Sequence, residues 1–170
     1  MRRILQRVIQ FRSVEDPASP PDAAFCDGAP FQANVRLGAS LYSHEVDRHG
    51  QVKQDEGRKI GTATACARLT DPKLPVGTQP PFVVRFDLPE GSFTALGACT
   101  IASNDVPERG LVMAGCTLRL TAFPKGVLGG VVTSLSTFNP SGLPGFGTGS
   151  WWTLQYYYDS ASADSQGEIR

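Results

Sequence analysis

The sequence carries no excess charge of either sign. Its 16 lysines and arginines match its 16 aspartates and glutamates. That balance argues against a general nucleic-acid binder, because phosphate contacts need a basic face. It gives no support for docking on an anionic membrane surface either. No run of about 18 apolar residues occurs, so no segment reads as a membrane-spanning helix. The strong catalytic signatures are missing too: there is no GxSxG, Walker loop, dinucleotide fingerprint or HExxH. Cysteine is sparse, with Cys26, Cys66, Cys99 and Cys116 the full set. None has CxxC spacing, and only His44 and His49 could join them as ligands, so neither a zinc site nor any other cofactor is expected. The even number permits disulfides, although 170 residues can bury a single core without them.

What the chain does have is a succession of short, alternating segments between Phe31 and Tyr158, punctuated by many of its 18 glycines and 13 prolines. In FVVRFDL, Phe82, Val84, Phe86 and Leu88 share one face and Val83, Arg85 and Asp87 the other. The following PEG is a turn signal with Gly91 free to take positive φ, so FVVRFDL-PEG-SFTALGACTI reads as a hairpin. A second hairpin through Asn104–Gly110 sets Cys99 opposite Cys116, where they form either a disulfide or a pair of small buried hydrophobes. Strands follow one another without helical crossovers, which favours an antiparallel meander. The expected fold is all-β, a small closed antiparallel barrel of about eight strands, ahead of a sandwich.

The first dozen residues read differently. Ile4, Leu5, Val8, Ile9 and Phe11 recur at helical spacing, which predicts a short amphipathic helix, docked or lying as a lid. A disordered leader and a targeting segment are the alternatives. Arg7 and Arg12 interrupt any secretory h-region, so the expected location is cytoplasmic. The expected organisation is an arm and linker over 1–25, a barrel over 26–160 and a loose polar tail over 161–170.

The order of the pieces from Leu41 to about Phe138 resembles the allene oxide cyclase-like barrel superfamily, which includes plant dirigent proteins and bacterial spirotetronate-type cyclases. LYSHEVDRHGQ…GRKIGTATACARL looks like that group's strand, polar loop and glycine-spaced strand entry, here Gly57 to Gly61. PFVVRFDLPEGSFTALG looks like its next hairpin, and LTAFPKGVLGGVVTSLSTF like its glycine-rich turn before a late strand. The chain has PKGVLGG where plant dirigent proteins often carry GGTG, so the bacterial cyclases are the closer comparison. The resemblance implies an apolar cavity that folds a flexible, polyketide-type substrate for isomerisation or ring closure without a cofactor. A cofactor-independent cyclase or isomerase is the leading expectation, and a non-catalytic barrel that carries or orients a small apolar ligand is the alternative. By analogy the resemblance implies a small hydrophobic partner and a homodimer, with neither nucleic acid nor membrane involved.

Polar strand residues supply the candidate chemistry. Tyr42, Arg85, Asp87 and Tyr156 are the candidate catalytic residues, with Arg36, Glu45 and Arg119 the other polar strand positions. Arg85 and Asp87 form either an outer-face ion pair or, if inward, a site. Phe82, Phe86, Phe93, Met113, Phe138, Trp151 and Trp152 are the candidate substrate-lining residues, on the ground that aromatic walls suit an apolar ligand. His44 and His49 read as loop residues, and Ser134 and Ser136 have no evident base partner.

Overall fold

The computed structural model describes residues 3–53, 57–139, 141–144 and 149–163. Eight strands form one closed barrel in simple sequential order. They are β1 (Ile4–Glu15), β2 (Val35–Ser43), β3 (Lys59–Ala67), β4 (Pro81–Leu88), β5 (Gly91–Val106), β6 (Leu111–Ala122), β7 (Val127–Phe138) and β8 (Gly149–Asp159). Every neighbouring pair is antiparallel. A short helix α1 (Ala23–Asp27) lies between β1 and β2, and a single turn α2 (Ser160–Ala163) follows β8.

The amphipathic helix expected at the start is not there. That stretch is β1, which pairs with β2 on one side and with β8 on the other, from Ile4↔Asp159 to Ser13↔Ser150. The barrel therefore begins inside the segment expected to be a separate arm. Closure is the physical reason. Without β1, the edges of β2 and β8 would leave a row of backbone donors and acceptors unpaired. Ile9, Phe11 and Ser13 also fit a period of two, and a short apolar run cannot distinguish the two periods.

The hairpins expected from the sequence are present. Leu88 pairs with Gly91, whose φ of 126° takes the turn. Cys99 faces Cys116 across β5 and β6 with a Cα–Cα distance of 4.0 Å, and the two are disulfide-bonded. The second bridge, Cys26–Cys66, ties α1 to β3 over 40 residues.

That bridge fixes a strap, residues 16–34, across the outside of β2, β3 and β4. Ser40 and Thr64 point outward yet are buried, because the strap covers them. Ser40 donates to Asp16 Oδ2 at 2.5 Å, and the Asp22 amide donates to Thr64 Oγ1 at 3.0 Å. Phe25, Phe31, Val83 and Leu96 pack around the disulfide as a small second core. Gly38 lets the strap lie flat on β2: a Cβ there would overlap the Ser19 carbonyl oxygen and stand 2.8 Å from the Pro21 nitrogen.

Candidate functional site

Register decides which side chains face inward. Phe86 pairs with Ala63 and Phe93, and Trp152 with Phe11 and Ser134, so these positions share the inner face. The middle of the barrel is packed. Phe11, Leu41, Phe86, Phe93, Leu118, Val132 and Leu154 are each 0% exposed, which leaves no water-sized void against them. Phe86 stands edge-on to Phe11 at 5.1 Å and to Trp152 at 4.9 Å between ring centroids. Phe86 and Phe93 are thus core packing and do not wall a cavity. An eight-stranded barrel is just narrow enough to be filled this way.

One end of the barrel is closed by aromatic rings and an arginine. Tyr156 is buried, 5.3 Å from Phe93 and 6.1 Å from Tyr158 between centroids. The Arg7 guanidinium lies over the Tyr158 ring at 5.7 Å. Burial pushes the Tyr156 phenol up from its ordinary value, and a hydrogen bond with Arg7 pulls the other way. Tyr156 is therefore neutral at physiological pH, and its phenol oxygen accepts from Arg7, which can only donate.

The opposite end is lined on one side by hydroxyls. Ser13 on β1, Ser134 and Ser136 on β7 and Ser150 on β8 all occupy inward positions. Ser136 and Ser150 lie 2.7 Å apart between Oγ atoms, and Ser134 and Ser136 3.2 Å. The Trp152 indole N–H donates to Ser13 Oγ at 2.9 Å. Ser13, Ser134 and Ser150 are partly exposed, so solvent reaches this row. The facing wall is apolar and includes Phe82, 6.3 Å from Trp152, together with Ala65 and the Cys99–Cys116 bridge. Leu74, the one described non-glycine residue with positive φ (47°), packs on Ile101, Val112 and Ala114 at the same end. The Asn104 side-chain amide holds the Lys73 carbonyl at 3.1 Å. Phe138 sits at the rim, 41% exposed.

This serine row is the feature that sequence reasoning passed over. In the sequence Ser134 and Ser136 lack an evident base partner, and Ser13 and Ser150 belong to no motif. The available signal was placement: each falls where the alternation calls for an apolar core residue.

The remaining candidates lie outside the barrel. Arg85 and Asp87 are an outer-face pair at 3.4 Å, as the outward alternative had it. Arg85 also binds Asp22 of the strap at 3.0 Å and lies over the Phe25 ring at 5.1 Å. Its contacts make it a clamp for the strap, away from the barrel interior. Asp87 is held by Ser92 at 2.8 Å. Arg36 clamps the strap in the same way through Asp27 at 2.5 Å. Met113 pairs with Thr137 on the outer face and lines no interior. Arg119 is exposed on the outer face of β6, and Glu45 accepts from Ser43 at 3.1 Å in an exposed position. Tyr42 and Trp151 are outward too, each the register partner of Arg12, whose guanidinium lies over the Tyr42 ring at 5.3 Å. A depression of about 370 Å³ opens beside Trp151 and His44. His49 is an exposed loop residue.

The site residues expected from the sequence thus divide. Phe82 and Trp152 meet at the serine-lined end, Tyr156 closes the other, and Tyr42 and Trp151 share the outer face of β2, β1 and β8. Among the described residues, no three His, Cys, Asp or Glu side chains gather closely enough to hold a metal ion. No helix among them is long and apolar enough to cross a membrane. No family model matches the sequence, and no curated protein matches it.

Proposed function

We propose that this protein binds a small, compact, largely apolar molecule at the serine-lined end of its barrel and orients it through neutral hydrogen bonds. The carrying observation is the row Ser13, Ser134, Ser136 and Ser150 on inward positions, with Ser136 and Ser150 2.7 Å apart. Each hydroxyl brings one donor and two acceptor sites, so the bonds within the row leave capacity for a ligand carbonyl or hydroxyl. An apolar pocket with a few convergent polar groups is the usual composition of a small-molecule site. Toward this end the inner faces of β7 and β8 carry no ionisable side chain, so recognition is by shape and hydrogen bonding.

Ring closure of a hydrophobic substrate in an allene oxide cyclase-like barrel is the second reading. The same neutral donors favour it, since holding two reacting ends and polarising one carbonyl suffices for a pericyclic step. The packed middle of the barrel restricts any such substrate to the end, which ranks carriage and orientation first. The pairing of all four cysteines supports an oxidising compartment over the expected cytoplasm, where thiols are kept reduced.

The test is titration with N-phenyl-1-naphthylamine, a neutral fluorescent probe, read by its emission and by the Trp152 indole resonance. Saturable binding at one probe per chain is expected, with the Trp152 signal moving. The double variant Ser136→Val, Ser150→Val removes both partners of one hydrogen bond and leaves the Ser134 hydroxyl, which is partly exposed, to water, so the fold should tolerate it. Probe binding should fall sharply in that variant. Binding that survives it unchanged, or no binding to the native protein, would sink the proposal.

A further inference from the structure

The barrel has no free strand edge, since each of its eight strands is paired on both sides. A protein partner therefore meets it face to face and not by adding a strand. Its outer faces are not alike. On β3–β5 the outward side chains Val83 and Leu96 lie under the strap, packed with Phe25 and Phe31. On β7, β8 and β1 the outward apolar side chains stand in water: Val8 is 53% exposed, Leu135 56% and Tyr157 47%. The register sets them in adjoining rows, Leu135–Trp151–Arg12, Thr133–Thr153–Gln10, Val131–Gln155–Val8 and Tyr157–Gln6. Leu128, at the bulge beside Tyr157, and Ile4, opposite Asp159, extend the patch and are exposed too.

Exposed hydrophobic residues scattered singly need no account, but a contiguous patch marks an interaction surface. Between the apolar positions lie Thr133, Thr153, Gln6, Gln10 and Gln155, whose hydroxyls and amides both donate and accept. The rows from Thr133 to Gln6 carry no charge. Arg12 stands at one end of the face, Arg3 and Asp159 at the other, and Arg119 alongside on β6. In a twofold contact the same surface meets itself, so a charge near its centre would face its own copy and repel. Amides and hydroxyls instead pair with their own kind. A charged partner finds no opposite charge on these rows, and a second copy finds nothing to repel it.

Size sets the strength of such a contact. The patch runs about 26 Å along the strands and about 14 Å across three of them, roughly 400 Å² in projection. The barrel curves away on either side. A standard interface takes about 800 Å² from each partner, so this one belongs to the small, reversible class.

We infer that the outer face of β7, β8 and β1 is a self-association surface through which two copies of this chain form a twofold dimer in a concentration-dependent way. Val8, Val131 and Leu135 supply its apolar contacts, and Gln10, Thr153 and Gln155 its hydrogen bonds.

The experiment is sedimentation of the full chain between about 1 and 100 μM, with ¹⁵N amide spectra over the same range, concentrations that bracket a micromolar Kd. The mass should rise from 18.2 kDa toward twice that value. Amides of β7, β8 and β1 should shift with concentration while those of the strap stay. Val8→Asp and, separately, Leu135→Asp place a carboxylate on exposed positions of the face and should each weaken association about tenfold or more. Val76→Asp makes the same change at a position 59% exposed between β3 and β4, and association should be unaltered. Melting temperatures at 1 μM, equal to that of the native chain, show that the variants are folded. A native chain that keeps its monomer mass throughout would overturn the inference, as would a dimer that survives both face variants or is lost equally in Val76→Asp. A trimeric mass would overturn the twofold contact. A monomer whose β7, β8 and β1 amides shift only on phosphatidylcholine vesicles would overturn it by assigning the face to lipid.

Discussion

Removing the Cys26–Cys66 bridge should free the strap and leave the barrel closed. The double variant Cys26→Ala, Cys66→Ala opens a loop of 40 residues. The chain-entropy relation puts that at about 4 kcal/mol, against about 3 kcal/mol for the 17-residue loop closed by Cys99–Cys116. The two losses should differ more in place than in size. Cys99 and Cys116 join strands already paired from Thr94↔Ala122 to Val106↔Leu111. Cys26 instead joins a five-residue helix to the sheet, and the small core around it depends on that link. Domains of this kind hold about 5–15 kcal/mol in total, so the variant should remain folded but with little margin. Amide exchange reads the location. The Asp22 amide, bonded to Thr64, and the Cys26 amide, bonded to the Asp22 carbonyl, should lose protection first. The β5 and β6 amides should keep theirs. If strap and barrel amides lose protection together in mild denaturant, the strap is part of the barrel's cooperative unit and the reasoning fails.

Gly38→Ala should lift the same strap by a steric route, because the added Cβ meets backbone atoms of Ser19, Pro20 and Pro21 and not a flexible side chain. A loss of about 1–3 kcal/mol in urea unfolding is expected, with exchange concentrated at Asp22 and Cys26. Acid should loosen the strap as well. The Ser40 hydroxyl and the Ala18 amide hold the Asp16 carboxyl below its ordinary value, and Arg85 with the Phe25 amide does the same for Asp22. Groups depressed in the folded state stabilise it above their unfolded pKa of about 4, and that contribution is lost as pH falls through the lower folded value. Strap protection should therefore decline as pH falls below about 4, and a strap whose exchange is flat with pH in Asp16→Asn, Asp22→Asn but also in the native chain would contradict this. Phe86→Ala, at a fully buried position between Phe11 and Trp152, should cost about 3–5 kcal/mol in chemical denaturation. A cost below about 1 kcal/mol would mean that the middle of the barrel is not packed.

Local features were legible in the sequence because local chemistry determines them. The PEG turn and the clean alternation of Phe82–Leu88 fix one hairpin, and the spacing of Cys99 and Cys116 about a single turn fixes another. What could not be read depends on partners far along the chain. The strand Ile4–Glu15 owes its form to β8, about 150 residues away at Ile4↔Asp159, and its apolar spacing fits a helix as well as a strand. Cys26 sits in a five-residue helix outside the alternating strands, so no hairpin register sets it opposite Cys66 and their pairing has no local signature. Facing was the third difficulty. Alternation tells which residues share a face, and the choice of inward face for Phe82–Leu88 or Trp151–Tyr157 is made by the whole closed sheet.

That choice bears directly on where chemistry can reside. Closing eight strands produces an interior that either fills with side chains or admits a small ligand. Here Phe11, Phe86, Phe93 and Trp152 meet in the centre, and the centre is full. Residues that looked catalytic because they are polar and lie on strands, Arg85 and Asp87 above all, are polar because they face outward, where they hold the strap. The functional signal in such a barrel is the reverse of what a motif search seeks. It lies in polar groups placed where packing alone would have put apolar ones, and in apolar groups left in water where polar ones would have served. Ser136 and Ser150 at the barrel end satisfy the first condition, and Val8, Val131 and Leu135 on the outer face satisfy the second.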